Sequence, residues 1–377
     1  MVNGIINYSA DLLIINIVLT LLMIFISKPG IIYKRPNNTS INNTTFIFLF
    51  ILNAFHCIFA FWSADTYHIW WTFVYEKFSM EYYEQVYNWL ANTTNFNYFL
   101  WRTIIWTPTL YLIYKSANKL DLITRCFAVA FVLLNIFIIS NTRGALGHTM
   151  LLFGIIGFYT NKKYSFNFII SCALIYISYF FHKSMYINII FAIIAIIPFK
   201  KKGLIISLIA FPFLVMVASK LIVLIQTEAL DVAYGEGAGG IGDRTHLYAS
   251  GETRAINING IIGEYIKWTA TYISLIYACK RVVFQNYFEN IKNEKIFNFL
   301  FRLAYICIYF GAVFSFVENT SSWIGIRLRY MGMFPLPFVI AKLWSLEKNT
   351  NNWIKAIIVF SLIAIIFNYA FTYKAWM

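Results

Sequence analysis

Residues 204–226 read LIISLIAFPFLVMVASKLIVLIQ, with Lys220 as their single charged side chain. A helix of about 20 apolar residues spans the hydrocarbon core of a bilayer, and this stretch reaches that length. Lys220 does not forbid the reading, because its flexible stem lets the ammonium reach outward to the interface. Working outward, comparable apolar runs fall at 8–27, 45–62, 98–115, 122–140, 144–160, 164–181, 184–199, 257–280, 297–316, 324–344 and 352–372. Together they predict about twelve transmembrane helices.

Composition points the same way. Of 377 residues, 60% are hydrophobic and 12% charged, whereas soluble domains run near half apolar and a quarter charged. A soluble globule, a disordered chain and a disulfide scaffold are excluded. The 5 cysteines are scattered, with no CxxC pair and no Cys/His cluster, so neither zinc nor a disulfide framework is indicated. Residues 1–10 lack the basic segment of a cleavable signal, and the first run is expected to stay as a helix. The expected fold is all-α: a polytopic integral membrane protein whose residues 1–377 form a single transmembrane domain, without internal repeat or soluble domain.

The net charge of +14 reads as topology rather than as nucleic-acid binding. Segments between the runs alternate. One set carries Lys28, Lys34 and Arg35; Lys115, Lys119 and Arg125; Lys162 and Lys163; Lys200, Lys201 and Lys202; Lys280, Arg281, Lys292 and Lys295; and Lys342 and Lys348. The other set holds Asp65, Glu76, Glu81 and Glu84; Glu228, Asp231, Glu236, Asp243 and Glu252; and Glu318. The positive-inside rule makes the first set cytoplasmic and puts both termini outside.

Two outer segments are long. Residues 63–97 contain Trp70, Trp71, Tyr75, Tyr82, Tyr83, Tyr87 and Trp89, which suits an amphipathic aromatic segment lying at the interface. Residues 227–256 form a polar loop with Gly235, Gly237, Gly239, Gly240 and Gly242. A loop of that length in a compact membrane protein is usually a lid or binding element.

The basic residues that break the charge rule are mostly Arg, while the inner set is mostly Lys. Arg102, Arg143, Arg244, Arg254, Arg327 and Arg329 all fall at the outer face. A guanidinium offers a fixed bidentate fork for phosphate, whereas an ammonium is a point charge. Their convergence at one leaflet predicts an anionic headgroup, most simply a phosphate or diphosphate; the plainer reading pairs each Arg with a nearby acid or a lipid phosphate. Histidines follow the same geography. His182 sits in an outer turn and His246 in the long loop, and either could take a proton from a sugar hydroxyl. His68 lies in the 63–97 segment. His56 and His148 lie deeper and read as hydrogen-bonding helix groups. Glu264 and Lys267, three apart near the outer end of the 257–280 run, read as a mutually neutralising pair.

Absences narrow the chemistry. No GxxxxGK[ST], HExxH, GxSxG or Asp-x-Asp pair occurs, so a nucleotide triphosphate, a zinc hydrolase and a metal-held nucleotide sugar are not indicated. The expected substrate is lipid-borne and already activated, used on the outer leaflet with neither metal nor cofactor.

Arg143-Gly144-Ala145-Leu146 opening a helix, followed by His182-Lys183-Ser184, resembles the Arg…His-x-Ser pattern of the EpsG/Wzy-type polysaccharide polymerases. Asp65-Thr66-Tyr67 with Tyr83 and Tyr87 looks like that family's outer Asp-x-x-Tyr region, and Arg327-x-Arg329-Tyr330 also fits. The resemblance covers roughly 60–190 plus the end of the chain, and no motif in 227–256 matches. It implies an O-antigen or related surface-polysaccharide polymerase in a bacterial inner membrane, with a GT-C-like membrane glycosyltransferase architecture. Such enzymes transfer a glycan from undecaprenyl diphosphate to the sugar of an incoming lipid-linked repeat unit on the periplasmic face. The resemblance also implies undecaprenyl-diphosphate-linked oligosaccharides, membrane lipid and a chain-length-regulating co-polymerase as partners, and no nucleic acid.

On this reading Arg143, Arg254, Arg244, Arg327 and Arg329 bind diphosphate and stabilise the leaving group. His182 leads as base, with His246 and Asp65 in reserve. Tyr67, Tyr83, Tyr248 and Glu318 are the candidate sugar contacts. The nearest rival is an O-antigen ligase, which shares the donor. A lipid-linked oligosaccharide flippase is a rival of another class, expected to carry charges on a central mid-membrane cavity. A membrane acyltransferase would place its basic and His signals on the cytoplasmic side.

Overall fold

The computed structural model describes residues 142–181, 185–226, 258–291, 294–317 and 323–346, with scattered positions between 18 and 114. Among them the regular structure is helical, with no strand. The helices are α1 (Thr142–Thr160), α2 (Phe166–Phe181), α3 (Met185–Ile196), α4 (Lys201–Gln226), α5 (Ile258–Cys279), α6 (Glu294–Ser315), α7 (Trp323–Met333) and α8 (Leu336–Leu346). A π-turn at Lys280–Phe284 ends α5. Each apolar run from 144 to 316 has become one helix. The run at 324–344, expected as one span, is instead two helices separated by a turn at Phe334 and Pro335. Proline supplies no N–H and its ring displaces the preceding turn, so the ladder stops there. α8 restarts with Phe338 N–H donating to Pro335 O at 3.1 Å.

Two helices among the described residues, the Lys201–Lys220 part of α4 and all of α6, are long and apolar enough to cross a membrane. They occupy opposite environments. α6 is buried from Ile296 to Val313 and packs against α1, α3, α4, α5, α7 and α8, so it is the axis of the bundle. α4 turns outward instead: Ile209 is 73% exposed and Phe213 65%, with Ile206, Leu208 and Met216 beside them. In water such a stripe would cost about 1.5–3 kcal/mol per large side chain. Against acyl chains that cost vanishes, and what holds α4 must be packing and hydrogen bonds. Tyr309 OH donates to Ser207 O, and the Tyr305 and Ser207 hydroxyls meet at 2.6 Å.

Glycines set the closest helix contacts. On α1, a Cβ at Gly154 would lie 3.0 Å from Ser171 O and 2.9 Å from Ile175 Cγ1 of α2. One at Gly147 would lie 2.9 Å from Met185 Cγ of α3. On the α6–α7 seam, a Cβ at Gly311 would lie 2.8 Å from Arg329 N, and one at Gly332 would lie 2.9 Å from Ala304 O. Small residues let membrane helices approach backbone to backbone, which gains dispersion contacts where no hydrophobic force drives association.

The packing sorts the helix ends into two sets. At one end Lys201 Nζ lies 5.3 Å from the Phe284 ring and Lys342 Nζ 5.5 Å from the Phe297 ring. There too Tyr159 of α1 meets Phe299 at 5.1 Å, and Arg302 Nε donates to Ala195 O at the end of α3 at 2.6 Å. Lys162 and Lys163 follow directly from α1, so lysine-bearing turns far apart in sequence gather at this end. The other end holds the starts of α1, α3 and α7 and the finish of α6, where Gly325 abuts Ser315. Arg143, Arg327 and Arg329 belong to this second end.

Candidate functional site

α7 carries Arg329 about 9 Å below its first residue, taking 1.5 Å per residue. The side chain is buried at 7% exposure. Three features hold it. Its guanidinium carbon lies 4.0 Å from the centre of the Trp268 ring on α5. Nε donates to Gly325 O at 3.3 Å, and Nη1 approaches Tyr272 OH at 3.5 Å. Gly311 on α6 leaves the room behind it, since a Cβ there would meet Arg329 Cγ. Trp268 and Tyr272 are four apart on one stripe of α5. Tyr330 stacks obliquely on Trp268 at 5.5 Å, and Met333 completes the apolar wall.

Each contact to this cation is neutral, namely an aromatic face, a carbonyl and a distant phenol. Among the described residues no carboxylate pairs with it. A cation–π contact is worth about 0.5–2 kcal/mol, depending on desolvation, whereas taking an ion out of water costs several. The guanidinium has five N–H donors in a planar fork, most of them unused by the described residues. The arrangement orients a preformed fork on an aromatic plate, a geometry able to take an anion.

A second polar group stands on the other flank of α7. His148 of α1 stacks on Phe334, at the α7–α8 turn, with centroids 5.2 Å apart and planes 28° apart. Its Nδ1 lies 2.9 Å from Nδ2 of Asn188, on the first turns of α3. His148 was expected to cap or hydrogen-bond a helix end; its bond is instead to a side chain, that of Asn188 on α3.

The other expected site residues divide into two groups. Arg143 stands in the first turn of α1 and Arg327 on α7, and their side chains lie outside the described residues. So do those of Glu264 and Lys267, whose backbone belongs to α5. His182, Asp65, His246, Arg244, Arg254, Tyr67, Tyr83, Tyr248 and Glu318 lie wholly outside the described residues, as does the segment 227–256. Of 63–97, positions 89, 92–95 and 97 are described, with Trp89 helical and exposed.

Sequence reasoning missed Trp268, Tyr272, Asn188 and Arg302. The first two were visible as an aromatic pair four apart following Glu264, but only the fold places that stripe against Arg329. Arg302 lies inside an apolar run, where it caps the carbonyl end of α3 with positive charge. That is a structural use of a mid-helix cation.

Comparison with known proteins gives one family. A family model described as the EpsG family matches residues 63–377. No curated protein and no solved structure matches the chain.

Proposed function

The chain belongs to the EpsG family, and on that premise we propose that it polymerises a bacterial surface polysaccharide from undecaprenyl-diphosphate-linked glycans on the periplasmic face of the inner membrane. Membership supports a polysaccharide polymerase-type membrane protein. The observation that carries the finer reading is Arg329: a buried cation on an aromatic plate, with a donor fork that the described residues leave mostly unused. A diphosphate is the ligand such a fork fits.

In the reaction, the acceptor sugar hydroxyl attacks the anomeric carbon of the donor glycan. The bond from that carbon to the diphosphate oxygen breaks, and its electron pair leaves with the lipid diphosphate. Arg329, with Arg327 on the same helix, Arg143 at the start of α1 and Arg244 and Arg254 in the long loop, stabilises the charge that develops there. Arginine forks supply that stabilisation without a metal. His182 accepts the hydroxyl proton, with His246 or Asp65 as the substitute base, while Tyr67, Tyr83, Tyr248 and Glu318 contact sugar. Gathering of the lysine turns at the opposite end supports the orientation, because cytoplasmic loops concentrate Lys.

Deleting the gene from its host and complementing it tests the proposal on a polysaccharide gel. Wild type restores a ladder, and the deletion leaves a single one-repeat band. Loss of that band together with accumulation of lipid-linked long chains points to a ligase, loss without accumulation points to a flippase, and an unchanged ladder overturns the proposal.

A further inference from the structure

Asn188 is 2% exposed, and its Oδ1 has no hydrogen-bond partner among the described residues. Its Nδ2 is doubly engaged, by His148 Nδ1 at 2.9 Å and by Met185 Sδ at 3.3 Å. An Asn amide carries two donors and an oxygen acceptor, so the donors are spent and the acceptor is left over. With Nδ1 accepting from Asn188, neutral His148 carries its proton on Nε2, and that nitrogen too has no partner among the described residues. Turning the amide over exchanges the roles: Nδ1–H then donates to Oδ1, Nε2 becomes an acceptor, and the NH2 is left over. In both settings one donor and one acceptor face are unmatched. Nδ1 and Nε2 point away from each other across the ring, so two hydroxyls of one sugar, each able to donate and to accept, match the two faces.

The pair sits where α1, α3 and the α7–α8 turn meet. It lies about one and a half turns of α1 below Arg143. It faces the Phe334–Pro335 turn, where the backbone of the eleventh apolar run is interrupted, and irregular backbone inside a membrane stands where it is buried in protein or lines a cavity. Phe334 covers one face of the imidazole, as an aromatic platform covers a sugar face. Leaving a buried acceptor unmatched costs about 1–3 kcal/mol, which an apolar residue at position 188 would avoid. An ionisable residue inside a span, as His148 is, is a functional-site candidate.

We infer that His148 and Asn188 form a hydroxyl-recognition site for a sugar of the lipid-linked repeat unit, on the flank of α7 opposite Arg329. This rests on the polymerase reading above and adds a determinant of sugar choice to it. The dyad binds sugar hydroxyls, Arg329 binds the diphosphate, and α7 with its turn joins the two.

The test uses the purified full chain in lipid vesicles with its lipid-linked repeat unit as substrate, comparing wild type, Asn188→Leu and His148→Gln. Thermal unfolding is measured beside initial rates. The expected result for Asn188→Leu is a midpoint at or above that of wild type, with apparent KM for the repeat unit raised about tenfold, the loss of one good hydrogen bond, and kcat nearly kept. His148→Gln shows a KM change in the same direction. A lowered midpoint with unchanged KM means the dyad only ties α1 to α3 or holds a buried water, and it overturns the inference. Should Asn188→Leu fail to fold, KM for His148→Gln decides alone. If wild type itself makes no polymer, the polymerase reading fails, an outcome separate from either of these.

Discussion

Arg329 is the residue at which sequence and structure meet most closely. It was legible because it breaks a charge rule: an Arg at an end of the chain's helices where acidic residues prevail. Its surroundings were not legible, because Trp268 and Tyr272 come from a helix more than fifty positions earlier, and only packing brings them to it. That environment predicts how substitutions behave. Arg329→Met removes the fork and should lower polymer yield about 100-fold or more at unchanged protein level, the usual cost of losing one preorganised transition-state contact. Arg329→Lys should restore little, since an ammonium keeps the charge but lacks the planar fork. Trp268→Leu should weaken the same step less, by the few-fold to about thirtyfold that a cation–π contact of 0.5–2 kcal/mol represents. Immunoblotting beside a polysaccharide gel measures all three. His148 shows the opposite case. Its expected role, capping or bonding a helix end, was local, whereas its partner Asn188 and that residue's leftover oxygen are tertiary facts that no local pattern contains.

At the scale of elements, the apolar runs located the helices from 142 to 346 because spanning length is a local property of sequence. The break in the 324–344 run was also written locally, in Pro335 and Pro337, but apolar content alone does not register a missing N–H. What no run length conveys is which helix is the axis. α6 and α4 are similarly apolar, yet one is surrounded and the other faces outward, and their difference lies in the partners they meet. Two stability predictions belong here. Gly311→Ala forces a Cβ against Arg329 N and Gly325 O, so it should destabilise by about 1–3 kcal/mol, read as a lower thermal midpoint in detergent. The double change Tyr305→Phe with Tyr309→Phe removes both hydroxyl ties from α6 to Ser207 of α4. Interhelical hydrogen bonds in membranes are worth about 0.6–2 kcal/mol each, so α4 should loosen by about that sum, seen as faster proteolysis near Pro212 with α6 still protected.

Across the whole molecule, the charge alternation acquires a geometric counterpart. Turns bearing Lys162 and Lys163, Lys200 to Lys202, and Lys280 gather at one end of the bundle, while Arg143, Arg327 and Arg329 stand towards the other. Cysteine substitutions at Lys163 and Lys201 should therefore react with a membrane-impermeant thiol reagent only after the inner membrane is opened, and one at Lys183 should react before. The reverse pattern would turn the proposed site towards the cytoplasm and remove the basis for a periplasmic reaction. We propose that Arg329 grips a lipid diphosphate as one glycan passes to another. Purified protein in vesicles, given only undecaprenyl-diphosphate-linked repeat units, measures this most directly through the products it makes. Wild type should make lipid-linked glycans growing in steps of one repeat, with one undecaprenyl diphosphate released for each bond formed, and Arg329→Met should make both about 100-fold less or lower. Undiminished chain growth by that variant, or no growth by wild type, would contradict it.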